Sequence, residues 1–218
     1  SDRKEPAKIA FLQCVGSRNR TSAYCCSVCC MYATKEAMLA KEHIPDAECT
    51  VFQMDMRAFG KGFDAYYERA KGKGVRYLSC RISALEEDPL TGDILIRYRD
   101  GGDDPAMREE RIDLAVLSIG LCSPGQAGEL AGSLGVGLNR WGFCATEDFR
   151  PLETNRPGVF VCGAFAEPKD IPDSVVQAGG AAAKALALLG DARGTLVREK
   201  EYPPEKAITP GEEPRIGV

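Results

Sequence analysis

The first 120 residues alternate between strand-like and helix-like patterns of apolar and polar positions. Short apolar runs, KIAFLQ, CTVFQMD and VRYLSC, predict three strands because each is bounded by polar or turn residues and contains β-branched or aromatic side chains. The longer segments CCMYATKEAMLAKE and FDAYYERAKGK lie between them and predict helices. A β-α-β-α-β order predicts a parallel sheet with covering helices.

The next residues predict a β-meander. The turn DPLTGD separates ISALEED from ILIRYRD, and a Gly-Asp turn at residues 101–104 leads to a strand over residues 107–111. Proline, glycine and aspartate mark both turns. The following strand, LAVLSIG, is apolar throughout, which predicts a central strand that is buried on both faces.

The sequence changes character after Gly120. Residues 121–149 are rich in glycine and predict one short helix at most. GVFVCG predicts a second buried strand, and SVVQAGGAAAKALALLG predicts a long helix whose small residues allow close packing. We therefore expect a domain over residues 7–120 and a second unit over residues 121–190. The termini, residues 1–6 and 191–218, are expected to be linkers.

Charge and hydropathy exclude several classes of function. The net charge of −4 gives no electrostatic argument for nucleic-acid binding. No apolar run is long enough to span a membrane, because Lys184 interrupts the alanine-rich stretch. The N-terminal SDRKEPAK does not resemble a signal peptide. Reduced thiols in the cytoplasm fit the ten cysteines better than secretion does.

Half of those ten cysteines lie within residues 14–30. Four of them, Cys14, Cys25, Cys29 and Cys30, are predicted to bind a [4Fe–4S] cluster, which needs about four converging thiolates. A strand end, a loop and the first turn of a helix can supply them, and the positive end of the helix favours thiolate over thiol. Adjacent Cys29 and Cys30 are poorly suited to a disulfide because their Cα atoms are too close.

Other interpretations of the cysteines remain open. The spacing Cys26-x2-Cys29 also suits structural zinc, although no second such pair follows. The same pair could form a redox-active dithiol. Buried, inert thiols are common, and we expect this role for four cysteines outside the group, Cys49, Cys80, Cys122 and Cys144.

Two sets of motifs resemble known proteins. RIDLAVLSIGLCSP, GVFVCGA and the VVQAGGAAA helix resemble the second half of thioredoxin-reductase-like flavoproteins. CVGSR, a Tyr-Cys followed after three residues by Cys-Cys, and PKDIPDSVVQA resemble the A subunit of heterodisulfide reductase and its bacterial homologues. The resemblance covers roughly residues 7–190, and the motifs occur in the family's order.

The resemblance implies an α/β fold in which a Rossmann-like parallel sheet with a β-meander forms an inserted nucleotide-binding-type domain. The C-terminal part of an FAD-binding domain follows it. It also implies an FAD and iron–sulfur oxidoreductase that relays electrons between flavin and iron–sulfur centres. In relatives, serine often stands at the position of Cys26, so this cysteine is not expected to be a ligand. The residues implied to line FAD are Gly163, Ala164, Lys169, Ile171, Pro172, Ser174, Val175, Gln177 and Ala178.

Two departures from the family qualify this implication. No G-x-G-x-x-G fingerprint occurs, so the chain is expected to be an internal fragment that needs an N-terminal FAD-binding segment of the same polypeptide. Other iron–sulfur electron-transfer subunits are the expected further partners. At Ala164 many related flavoproteins have an acidic residue, which leaves a carboxylate for the ribityl chain in doubt.

Within PKDIPDSVVQA, Asp173 or Ser174 is expected to cap the helix, and Lys169 is a candidate cation near the flavin ring. A solvated loop lysine is the alternative. The alternative functions are a flavin-coupled dithiol reductase that uses Cys26 and Cys29, and a zinc-stabilised interaction module without catalysis.

Overall fold

One six-stranded sheet organises the first part of the structure, a computed structural model that describes residues 5–100, 106–205 and 211–212. The strands lie in the order β5-β4-β3-β2-β1-β6. Neighbours are parallel from β6 to β3 and antiparallel from β3 to β5. The strands are β1 (Lys8–Leu12), β2 (Glu48–Gln53), β3 (Arg76–Glu87), β4 (Ile94–Asp100), β5 (Met107–Ile112) and β6 (Leu114–Leu117). Two helices, α1 (Cys29–His43) and α2 (Phe63–Gly72), make the parallel crossovers.

Both faces of this sheet are covered. On one face, α1 packs Ala33 and Ala37 against Phe11 and Val51, and all four side chains are buried. The meander curls over the other face, where the rings of Phe52 and Tyr98 meet edge to face at 5.1 Å. The α/β prediction is confirmed, including the parallel β-α-β-α-β order and the meander.

Strand β3 is longer than predicted because it joins VRYLSC and ISALEED in one element. Its first half pairs with β2, and its second half pairs with β4 after a register shift between Ile82 and Ala84. A bulge increases local twist, which suits the curl of the meander over the sheet. The predicted Gly-Asp turn at residues 101–104 lies outside the described residues, and the predicted linkers are described only in part.

Two strand predictions are wrong. LAVLSIG forms an edge strand, β6, that pairs with β1, and its Leu114 and Leu117 are 44% and 47% exposed. The apolar run predicted burial of the strand, but it does not indicate whether strands on both sides or only β1 would cover it. GVFVCG forms no extended ladder in the described residues: Phe160 makes one isolated bridge, to Glu153, while Val161 is buried in a small cluster.

That small cluster is the core of residues 121–190. It contains Ala131 of α3 (Ala127–Leu134), and also Val136, Cys144 and Ala166. The long helix α4 (Ile171–Leu188) follows a 3₁₀ turn at Gly163–Phe165, and none of its residues is buried. No helix among the described residues is long and apolar enough to cross a membrane. The domain boundaries at residues 120 and 190 stay predictions.

Candidate cofactor site

The cysteine-rich loop, residues 13–28, lies at the carboxyl ends of the parallel strands. It leaves β1, and Val15 N donates a hydrogen bond of 3.1 Å to Ser118 O just after β6. A Cβ atom added to Gly16 would lie 1.7 Å from Ile119 O. Glycine therefore permits the close approach of the loop to the segment after β6, and the carboxyl edge of an open parallel sheet is where such folds bind ligands.

Three residues of this loop adopt left-handed backbone conformations that are unfavourable for side-chain-bearing residues. Cys14, Arg18 and Ser27 have φ of 60°, 55° and 62°. Such a conformation costs about 1 kcal/mol or more per residue. Strain of this kind clusters at functional sites, and here it lies entirely between β1 and α1.

The thiols of the loop converge on Cys29. Its hydrogen bonds lower the pKa of the thiols around it, those of Cys14, Cys26 and Cys30. The same bonds raise the pKa of Cys29 itself. Cys26, Cys29 and Cys30 are buried together. The loop thus brings four thiols together around Cys29, as a thiolate ligand set requires.

Backbone amides stabilise negative charge on these sulfurs. Ser27 N donates to Cys25 Sγ at 3.3 Å, and amide hydrogen bonds contribute to the lowered pKa of Cys26 and Cys30. Helix α1 has no side-chain cap at Val28 and no acidic residue in its first turn. Its free N–H groups and positive dipole end are therefore available to the thiolates.

Cys25 and Cys26 occupy positions that the sequence did not anticipate. Cys26 is fully buried and hydrogen-bonded to Cys29, although the family resemblance places it outside the ligand set. Cys25 is half-buried; burial raises its pKa, and its side chain is near Cys26 and Cys30 without a thiol hydrogen bond to either. Three of the four predicted ligands therefore meet directly, and the fourth is their neighbour. The ligand set itself stays a prediction.

Buried polar atoms without hydrogen-bond partners lie at the same edge of the sheet. They belong to residues that follow β1, β2 and β6 or lie in the loop, namely Gln13, Ser17, Gln53 and Ser118. Ser118 affects the pKa of the nearby Tyr32 hydroxyl, but the two form no hydrogen bond of regular geometry. An unpaired buried polar group costs about 1–3 kcal/mol. The Ser17 and Ser118 hydroxyls and the Gln13 side-chain N–H groups can donate to a bound group rich in sulfide acceptors, whereas the unpaired Gln53 Oε1 can only accept.

These polar residues were missed in the sequence, although a signal was present. Gln13 and Gln53 each end an apolar strand, and Ser118 follows the apolar LAVL. Within the described ranges, no three Cys, His, Asp or Glu side chains are arranged to hold a single metal ion. The thiols contact one another directly, so a cluster would have to separate them. The donor chemistry fits an iron–sulfur cluster, and zinc stays the alternative.

The segment predicted to line FAD forms one continuous turn and helix start. Gly163 has φ of +68°, and its N–H donates to Gln177 Oε1 at 2.9 Å. Helix α4 begins at Ile171, and its cap is Asp170, whose Oδ1 accepts from Asp173 N at 2.8 Å. The expectation that Asp173 or Ser174 caps the helix is wrong, because Pro172 is accepted in the first turn and the helix starts earlier.

The predicted flavin residues differ in exposure. Gly163, Ser174 and Gln177 are half-buried; Gln177 accepts from Gly163 N, and Ser174 Oγ donates to Asp170 O. The exposed members are Ala164, Ile171, Pro172, Val175 and Ala178. Lys169 is buried, with 4% of its side chain exposed, and its Nζ lies 3.2 Å from Glu167 Oε1. A solvated loop lysine is therefore not what the structure shows, and whether Lys169 contacts a flavin stays a prediction.

A cavity of about 730 Å³ lies between the two candidate sites. One wall belongs to the cysteine loop and α1 and includes Ser27, Val28 and Tyr32. The opposite wall is Lys169–Pro172, the segment predicted to face the flavin. The side chains of Met31 and Phe63 also line it. The space between the cysteine loop and the flavin segment is thus mostly apolar, as cofactor sites usually are.

Known proteins resemble this chain at the level of sequence. No protein-family model matches. The second iron–sulfur A subunit of CoB–CoM heterodisulfide reductase from Methanopyrus kandleri is 43% identical over 196 residues, 87% of this chain and 29% of that protein. The A subunit of H(2):CoB-CoM heterodisulfide,ferredoxin reductase from Methanothermobacter thermautotrophicus is 39% identical over 193 residues, 85% of this chain and 28% of that protein.

A solved thioredoxin reductase from Streptococcus pyogenes MGAS5005 aligns with a TM-score of 0.39 and 14% identity, over 84% of this chain and 53% of that one. The chain spans less than a third of the length of the curated relatives it matches. The resemblance predicted from the cysteine and PKDIPDSVVQA motifs is confirmed: this chain is homologous to a segment of the A subunit of heterodisulfide reductase.

Proposed function

We propose that this chain is part of an oxidoreductase in which electrons pass between a flavin and a [4Fe–4S] cluster. The observation that carries the proposal is the 730 Å³ cavity, because the cysteine loop and Lys169–Pro172 line the same space. Electron transfer needs the two centres close together, and a shared, mostly apolar cavity gives both centres access to one space. The homology to an iron–sulfur subunit supports the same function.

The cysteine loop is proposed to hold the cluster. Cys14, Cys29 and Cys30 supply three thiolates, and Cys25 or Cys26 supplies the fourth. A bound cluster carries single electrons, and FAD exchanges electrons in pairs or singly. The amides at the start of α1 and the unpaired donors at the strand ends stabilise the negative charge that arrives with each electron.

The flavin is proposed to lie against Gly163 and the first turns of α4. The Gly163 N–H donates a hydrogen bond to Gln177 Oε1, which fixes the position of this backbone segment. Because glycine has no Cβ, the backbone can approach the cofactor closely. The first turn of α4 gives N–H groups and a positive dipole end, partly used by the Asp170 cap. Lys169 lines the cavity as a buried cation, with Glu167 as its partner.

The remaining predictions about context belong to the same proposal. An N-terminal FAD-binding segment of the same polypeptide completes the flavin site, and other iron–sulfur subunits exchange electrons with the cluster. Nothing in the charge of the chain favours nucleic acid. The ten free thiols suit the reducing cytoplasm.

A second candidate is the flavin-coupled dithiol reductase. The hydrogen bond between Cys26 and Cys29, which lowers the pKa of Cys26, favours it, since a low-pKa thiol is the reactive member of such pairs. This candidate uses two thiols. It leaves Cys14 and Cys30, which also contact Cys29, without a role.

Iron and sulfide analysis of anaerobically purified protein, together with its visible spectrum, tests the proposal. We expect about four irons and four sulfides and broad visible absorption. Cys29→Ser and Cys30→Ser should abolish both, and Cys49→Ser, at a buried cysteine of the sheet core, should change neither. Iron-free protein with one reactive dithiol would support the dithiol reductase instead.

Comparing Cys25→Ser with Cys26→Ser identifies the fourth ligand. The sequence resemblance favours loss of iron in Cys25→Ser and retention in Cys26→Ser. Because Cys26 is fully buried beside Cys29, loss of iron in Cys26→Ser would instead identify Cys26 as the fourth ligand.

Lys169→Ala in the full-length protein should lower the flavin reduction potential, and an unchanged potential would remove Lys169 from the flavin site.

A further inference from the structure

A basic surface lies on the outer side of the cysteine loop. We define it by Arg18, Arg57 and Arg81, and Arg81 Nη2 donates to Arg18 O at 3.4 Å. Asp55 pairs with Arg18 and, at 3.3 Å, with Arg57 Nη2. Among the described residues, this surface therefore sets three guanidinium groups, two of them paired with Asp55, against that one carboxylate. This surface is positive although the chain as a whole carries a net charge of −4.

Fold stability does not account for this charge. Arg81 on β3 lies directly opposite Arg99 on β4, and like charges in such cross-strand positions are destabilising. Both residues are exposed. A neutral residue at Arg81 would lose only the hydrogen bond of 3.4 Å to Arg18 O and would remove the repulsion with Arg99, so a binding role explains the charge at this position better than a structural role.

The basic surface also leads directly to the cysteines. A depression of about 290 Å³ is lined by Arg18, Asn19, Tyr24, Cys25 and Arg57. Its wall therefore includes a predicted cluster ligand that is partly exposed. Cys30 Sγ donates to Asp55 O at 3.9 Å, and Asp55 is the residue that pairs with Arg18 and Arg57. A molecule bound at this surface would lie next to the thiols.

We propose that the basic surface is the docking site for an acidic electron-carrier protein. The inference rests on the proposed function, since the carrier would deliver one electron from its reduced centre to the cluster held by the adjacent cysteines and become oxidised by one electron. Guanidinium groups suit carboxylates because they donate two parallel hydrogen bonds. A basic surface on an otherwise acidic chain also steers and orients an acidic partner.

The test is calorimetric binding of a probe, an acidic plant-type [2Fe–2S] ferredoxin, to the full-length protein at low ionic strength. Arg81→Glu should weaken binding about tenfold. The matched control is Lys73→Glu, which makes the same change of charge at an exposed residue just before the amino end of β3. The control should bind as the wild type does, and the difference between the variants should fade at high salt.

Equal affinities of Arg81→Glu and Lys73→Glu would overturn the proposal, as would the absence of binding by the wild type. Loss of binding in millimolar phosphate at constant ionic strength would indicate a small-anion site and overturn it too. Circular dichroism checks that the variants fold. If Arg81→Glu is misfolded, Arg81→Gln is measured in its place, with a smaller expected loss of affinity. Iron content in the same samples tests the proposed function separately, because charge-dependent docking does not require the cluster.

Discussion

Residues 7–120 and residues 121–190 differ in how much of their apolar surface the chain itself covers. In the first region α1 and the meander bury both faces of the sheet. In the second, α4 has no buried residue, and Val175 and Val176 are 65% and 74% exposed. The cysteine loop thus packs buried thiols against elements of this chain, whereas the helix that follows the predicted flavin segment leaves apolar side chains exposed.

The comparison predicts opposite outcomes for the same substitution in the two regions. Gly16→Ala should destabilise the fold by about 3 kcal/mol and abolish iron binding, because its Cβ would overlap Ile119 O and backbone must move. Gly132→Ala, on α3 with nothing within 4 Å of the added Cβ, should raise the free energy of unfolding by up to about 1 kcal/mol. Urea denaturation measures both.

Retention of iron in Gly16→Ala would contradict the assigned loop geometry. A loss of stability in Gly132→Ala would show that α3 is packed against a neighbour in solution. Either result would weaken the contrast between a preformed first region and an open second region.

A valine in each region sharpens the comparison. Val51→Ala removes two methyl groups from a fully buried position in the sheet core and should reduce the free energy of unfolding by about 2 kcal/mol. Val176→Ala, on the exposed side of α4, should change it by less than about 0.5 kcal/mol. Denaturation midpoints with unchanged slopes are the measurement.

If Val176→Ala were as costly as Val51→Ala, α4 would be covered in solution by another copy or by its own chain. The same pair measured in full-length protein with bound FAD is the informative repeat. There we expect the cost at Val176 to rise, because the remaining polypeptide is proposed to pack against α4.

Sequence periodicity predicted the first region well because its elements are locally determined. The helix at Cys29–His43 and the strand at Ile94–Asp100 agree with the predicted segments to within a residue or two. The edge position of Leu114–Leu117 could not be predicted, since an apolar run is the same whether the chain or a partner covers it. GVFVCG failed for a related reason: its apolar residues pack as a cluster without a neighbouring strand.

The candidate site was predictable by residue type but not by orientation. The density of cysteines identified the loop. Neither spacing nor periodicity indicates that the side chain of Cys26 is fully buried while that of Cys25 is half-buried. Ser27, which follows them, has a left-handed conformation that serine rarely adopts, so local propensity could not predict the path of the loop. The cap of α4 was missed because Asp170 and Asp173 are both suitable cap residues, and the start of the helix decides between them.

A smaller effect is expected at the strand ends. The Ser118 hydroxyl is buried without a partner, and we expect it to donate to a bound cluster. Ser118→Ala should then lower the cluster reduction potential by about 40 mV, which corresponds to one hydrogen bond of about 1 kcal/mol. Ser133→Ala, whose hydroxyl donates to Leu130 O on α3, is the matched control and should leave the potential unchanged.

A redox titration monitored by electron paramagnetic resonance measures the reduction potential of the cluster directly. Equal potentials in wild type and Ser118→Ala would show that the hydroxyl is not directed at the cluster. The iron content must be equal in the two proteins, which separates this result from a loss of the cluster.

The smallest expected effect concerns one carboxylate in each region. Burial alone would raise the pKa of Glu110, but hydrogen bonds from Arg76 and Tyr98, each 2.5 Å long, outweigh burial and lower it. A lowered pKa in the folded state stabilises the fold above the unfolded pKa of about 4.3, and this contribution is lost as pH falls through the folded pKa. Glu110→Gln should therefore cost about 0.5 kcal/mol at neutral pH and almost nothing near pH 3.

Glu153 provides the comparison, since its hydrogen bond with Lys184 of α4 also lowers its pKa. Glu153 accepts one such hydrogen bond, whereas Glu110 accepts two, so Glu153→Gln should show a smaller difference between neutral and acidic pH than Glu110→Gln. Urea denaturation at both pH values measures the two differences. A larger acid dependence at Glu153 would mean that α4 is held more firmly against residues 150–155 than its exposure indicates, and the second region would then be more complete than the comparison supposes.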